Sequence, residues 1–64
     1  MYTPRIGDVV SNYERKETII RIERIDKRTK YHTVTRDDTH NFFMDSDLCE
    51  EATKDKRIVL LNRA

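Results

Sequence analysis

Cys49, His32 and His40 are the residues of this chain whose types could carry nucleophilic or metal chemistry. Cys49 follows Asp45-Ser-Asp-Leu, which suits a helix start, and a helix start lowers a thiol pKa. No Cys-x2-Cys or His-x3-His frame joins these residues with Asp45 or Asp47 into a zinc site. The plainer role for Cys49 is a small half-buried residue beside Leu48. Asp45 and Asp47 resemble half of a hard-cation site, but the other ligands of a calcium loop are missing. They read instead as caps of a helical turn. Gly7 is the single glycine, which excludes a glycine-rich phosphate cradle. The paired carboxylates Asp37-Asp38 and Glu50-Glu51 fall in solvated turns. So short a chain has little room for the apolar pocket that would raise one pKa and make a useful acid. The sequence therefore predicts a non-enzymatic protein with no cofactor and no metal.

Two sets of residues point to binding. Arg21, Arg24, Lys27, Arg28 and Lys30 gather on one strand and the turn after it, with Tyr31 beside them. Basic side chains with an interleaved aromatic are the ingredients of nucleic-acid contact, phosphates to the cations and a base to the ring. The second set is apolar. Ile58-Val-Leu-Leu61 offers apolar residues to both faces of a strand, and a small barrel covers one. Val59, Leu60 and Leu61, with Ile19 and Phe42, are thus expected at a protein interface, either with a partner or with a second copy. The protein interface is the primary expectation, and weak nucleic-acid binding is the alternative.

Sixty-four residues make a single domain, here 1–64. A core this small supplies about 3–5 kcal/mol without a staple. Cys49 is the only cysteine, so no disulfide within the chain can add to it. The opening residues Met1–Gly7 show no apolar leader core, and the longest apolar run is far too short for a bilayer. A cytoplasmic protein without membrane contact is expected, in the host cytoplasm if the chain is phage-encoded. Charge is segregated behind a net +1. Residues 1–36 carry +4, residues 37–52 carry −6 and residues 53–64 carry +3. The acidic stretch with Phe42 suggests a second docking mode, onto a basic partner such as a nucleic-acid-binding enzyme.

These residues need elements to hold them. Strands are expected at 8–12, 17–26, 31–36, 40–44 and 56–61. The long strand 17–26 is central. Period-two spacing puts Ile20 and Ile22 on the core face and Ile19 on the other, with a β-bulge near Glu23-Arg24 returning Ile25 to the core. Residues 12–17 form a polar connection, Asp26–Lys30 a turn without glycine, and Asp37-Asp38 a tight hairpin. His32 and Val34 share one face, and Tyr31, Thr33 and Thr35 the other. One of Phe42 and Phe43 must point outward. A short helical turn falls near residues 46–52. The sum is all-β: a five-stranded, partly open SH3-like barrel.

Ile6-Gly-Asp-Val-Val10, then Thr18-Ile-Ile-Arg-Ile22, then Phe43-Met-Asp-Ser-Asp-Leu48 resembles the small SH3-like or KOW-like barrels of bacterial and phage accessory proteins. There a Gly-Asp-x-Val opening precedes a β-meander, and an aromatic strand runs into an Asp-Leu turn. The resemblance spans residues 6–61 and brings no functional residue with it. It implies a regulatory or accessory binding protein of phage type. The loop after the first strand lacks the glycine that a KOW motif places there.

Overall fold

The computed structural model describes residues 3–49 and 58–64. Its strands are β1 (Val9–Asn12), β2 (Arg15–Ile25), β3 (Arg28–Thr35), β4 (His40–Met44), β5 (Leu48–Cys49) and β6 (Ile58–Asn62). They form one open sheet in the order β4-β3-β2-β1-β6-β5. Every pairing is antiparallel except β5 with β6. The all-β class with a short helical turn is the one expected. The strand count differs because Leu48–Cys49 pairs with Ile58–Val59 and adds a sixth. The helical turn is a single 3-10 turn at Asp45–Asp47. The remainder of the expected helical stretch, from residue 50, lies outside the described residues.

Tight turns replace the loose connections expected from sequence. Asn12 pairs with Arg15, so β1 and β2 are joined by Tyr13-Glu14 alone. Both have positive φ, 52° and 73°, as a two-residue turn matching the strand twist requires. Ile25 pairs with Arg28 across Asp26-Lys27, with Asp26 left-handed at φ 57°. Aspartate tolerates that region better than most residues, which is how this turn forms without glycine.

β2 is not one regular strand. Ile19 pairs with Thr33 and Arg21 pairs with His32, so Ile20 is an inserted residue opposite no partner of its own. The bulge therefore sits at Ile20 rather than at Glu23-Arg24. Before it, odd-numbered residues face the core; after it, Ile22 shares the core side with its partner Tyr31. Gly7 and Asp8 reach across here: the Gly7 N–H donates to the Ile19 carbonyl at 2.7 Å, and the Ile19 N–H donates to the Asp8 carbonyl at 2.9 Å.

The core takes one buried apolar side chain from each of five strands: Val10, Ile19, Tyr31, Phe43 and Ile58. Leu48 of β5 packs against them from a half-buried position. Tyr31 and Phe43 stack with ring centres 5.0 Å apart and planes at 22°. Ile19 is fully buried, at 0% exposure. The outward orientation expected for it is therefore overturned, because the bulge falls one position after it and reverses the parity of the strand. Ile20, expected inside, is an exposed bulge residue; Ile22 lies on the core side as expected, but at 39% exposure it is left uncovered.

Candidate interaction surface

A carboxylate lies in the core. Glu17 is 1% exposed and sits on β2 two residues before Ile19. Its Oε1 accepts from Asn12 Nδ2 and from the Thr33 hydroxyl, both at 2.9 Å. Its Oε2 accepts from Asn41 Nδ2 at 3.1 Å, and Arg15 Nε stands 3.6 Å away. Donors from β1, β3 and β4 thus converge on one residue of β2. A buried carboxylate is tolerable only when paired and hydrogen-bonded in this way. The sequence hides this group: its partners are 5, 16 and 24 residues away. Asp8 is a second buried carboxylate, accepting the backbone N–H groups of Arg5 at 2.9 Å and Ala64 at 2.8 Å.

The opposite, outward face of β2, β3 and β4 carries the chemistry. Cross-strand pairs share a face. Arg21–His32, Glu23–Lys30, His32–Phe42 and Lys30–Met44 therefore assemble into one patch. His32 Nε2 donates to Glu23 Oε1 at 2.9 Å, and Arg21 Nη2 lies 3.9 Å from Glu23 Oε2. The His32 hydrogen bond holds the Glu23 carboxyl below its ordinary 4.5; burial opposes this, and Arg21 adds to it. Lys30 Nζ stands 4.3 Å from the centre of the Phe42 ring, within range of a cation–π attraction. Phe42 is 52% exposed while Phe43, its neighbour, fills the core. An open hollow at one end is lined by Arg15, Lys16, Thr35, Arg36 and Asp37.

The expected interface residues separate accordingly. Phe42 and Leu61 are exposed, Leu61 at 43%. Val59 and Leu60 are half-buried, Leu60 opposite Val10 and Val59 opposite Ser11. Ile19 is in the core and cannot meet another chain. Of the expected nucleic-acid set, Arg21, Arg24, Lys27 and Arg28 are exposed and Lys30 is half-buried. Arg24 lies across the sheet from Arg21, pairing with Thr29 and donating to its hydroxyl at 3.1 Å. Tyr31, at 6% exposure and stacked on Phe43, is a core residue and is not free to stack on a base. Phe42 is the aromatic that stands among cations instead. Period two in β3 and β4 alone would have put Phe42 beside His32 and Lys30.

Cys49 is half-buried and donates its thiol to the Ile58 carbonyl at 3.5 Å. Among the described residues, no three His, Cys, Asp or Glu side chains converge as metal ligands. No described helix is long and apolar enough to cross a membrane. Comparison with known proteins finds no family model, curated protein or solved structure that matches the chain.

Proposed function

We propose that the chain is a non-enzymatic binding module that meets a protein partner through the outward face of β2, β3 and β4. The observation that carries this is Phe42, half exposed in the patch formed with Arg21, Lys30, His32 and Met44. Aromatic residues, arginine and methionine are the types enriched where proteins meet. The Gly-Asp-x-Val opening and the small β-sheet support placing it with SH3-like accessory or regulatory proteins of phage type, working in a cytoplasm. Exposed Leu61 supports a second contact, with a further copy of the chain.

The test is capture from nuclease-treated cell extract by the wild type and by Phe42→Ser. Proteins retained by the wild type and lost by the variant are the expected result. A bound set that Phe42→Ser leaves unchanged sinks the proposal. A second reading, weak nucleic-acid binding, is favoured by Lys16 and Arg36 at the hollow together with Arg21, Arg28 and Lys30. Nuclease treatment that abolishes capture would support it.

A further inference from the structure

We infer that the partner segment is acidic: an extended peptide stretch with carboxylates flanking an apolar side chain that covers Phe42. This rests on the outward face being the contact surface. The support is the way the fold sorts charge. Lys16, Arg21, Arg28 and Lys30 lie on the outward side of the β2–β3 ladder by parity and register. Glu23 is the one carboxylate there among the described residues, and its two oxygens are engaged by His32 and Arg21. Lys16, Arg28 and Lys30 make no ion pair among the described residues.

The other described carboxylates lie elsewhere. Glu17 and Asp8 are buried. Glu14, Asp26, Asp37 and Asp38 are in turns, and Asp45 and Asp47 are in the 3-10 turn. The face is therefore positive and short of counter-charge, and complementary potential sets which partner docks. This also reverses the docking mode suggested by the acidic stretch 37–52. Its described carboxylates sit at the two ends of β4 rather than around Phe42.

Two features favour a peptide over a nucleic-acid strand. Ile20 and Ile25 are exposed on β2 beside the cations, and aliphatic side chains give bases nothing to stack on. The acidic turns before and after β4 also flank the patch, so a long polyanion running along β4 meets Asp37 and Asp38 at one end and Asp45 and Asp47 at the other. A peptide of a few residues fits between them. Same-face side chains of an extended peptide recur about every 6–7 Å, the interval that separates Arg28 from Lys30 along β3.

The experiment is fluorescence anisotropy of the full chain with three labelled probes: a Glu-Leu peptide of sequence Glu-Ser-Leu-Ser-Glu, which when extended puts its carboxylates and leucine on one face, its Lys-Leu counterpart Lys-Ser-Leu-Ser-Lys, and oligothymidylate. Backbone amide shifts map each site. The Glu-Leu peptide should bind on the outward face, weaken with added salt, and weaken roughly fivefold or more with Lys30→Glu. Phe42→Ala should weaken it as well. Tighter binding of the Lys-Leu peptide at this face overturns the acidic partner while leaving the face as the contact surface. Tighter binding of oligothymidylate there overturns the peptide in favour of nucleic acid. Amide shifts away from the face with every probe, or no binding by any, overturn both the inference and the surface it rests on.

Discussion

The Thr33 hydroxyl donates to Glu17 Oε1 at 2.9 Å, joining β3 to β2 inside the core. Glu17 is consequently a structural carboxylate, and Glu17→Gln tests how fully its oxygens are used. The new amide would face Asn41 Nδ2 or the Asn12 and Thr33 donors. Asn41 cannot simply flip, because its Oδ1 accepts the Phe42 N–H at 2.9 Å. The expected loss is about 1–3 kcal/mol, and Glu17→Ala, which leaves every donor bare, should unfold a domain stabilised by about 3–5 kcal/mol. An unchanged urea midpoint for Glu17→Gln would show the network to be dispensable.

Adjacent phenylalanines should behave oppositely. Phe43→Ala removes a buried ring stacked on Tyr31 and should cost about 3–5 kcal/mol, enough to abolish the folded state. Phe42→Ala gives up a half-exposed ring and its contact with Lys30, and should stay within about 1 kcal/mol of wild type. Circular dichroism melts of the two variants decide this, and similar melting temperatures would refute the assigned strand parity.

Gly7 adopts φ +96°, and a Cβ placed there would lie 2.9 Å from the Ala64 Cβ. Gly7→Ala should cost more than about 1 kcal/mol, since its backbone conformation is incompatible with a side chain. Adding Ala64→Gly relieves the contact alone. Partial recovery of stability in the double variant is expected, and complete recovery would assign the whole penalty to the contact and none to the backbone.

Among the described residues, Glu23, Asp37 and Tyr31 have shifts that tie stability to pH. Glu23 is held below 4.5 by His32, and Asp37 below 3.8 by hydrogen bonds from the Thr35 and Thr39 hydroxyls. Both favour the folded state when ionised. Their contribution is present above the unfolded pKa values and is lost as pH falls through the lower folded ones. Burial, with Asp45 nearby, raises Tyr31 above 10.0. Its contribution is the reverse: full below pH 10.0 and lost as pH climbs through the folded value. Tyr31→Phe should flatten the alkaline limb of a stability–pH curve, and Thr35→Val should return the Asp37 titration, followed by carboxyl NMR, toward its ordinary value. An alkaline limb that persists in Tyr31→Phe would assign it to another group.

Much of the sheet was legible because β-branched and aromatic runs announce strands. His40–Met44 matches the expected 40–44, and the outward place of one phenylalanine followed from period two. The parity of β2 was not legible. Facing Ile20 and Ile22 inward kept Glu17 in solvent, the cheaper arrangement for an unpartnered carboxylate. Glu17 has partners, however, and they come from strands that only the fold brings near. Once Glu17 is satisfied inside, Ile19 follows it into the core, and the extra residue at Ile20 bulges out and returns Ile22 to the core side. Tyr31 differs from expectation for a related reason: a neighbour of basic residues in sequence is on the other face from Lys30 in a strand. Arg21 and Glu23 join the patch around Phe42 only through the β2–β3 register, which the Ile20 bulge sets.

The side-chain bonds along β4 have a consequence for the fate of the protein at high concentration. β4 ends the sheet. Every second N–H of such a strand points away from its neighbour and can recruit another molecule, the first step of fibre growth. Here the Phe42 N–H is spent on Asn41 Oδ1 at 2.9 Å and the Met44 N–H on Asp47 Oδ2 at 3.2 Å. The chain thus supplies its own terminator, and half of it is anchored to Glu17 through Asn41. Asp47→Ala should reopen one donor and shorten the lag of thioflavin-positive assembly without moving the urea midpoint by more than about 0.5 kcal/mol in stability. A lag equal to that of the wild type would mean that the polymer, if it forms, grows from somewhere else.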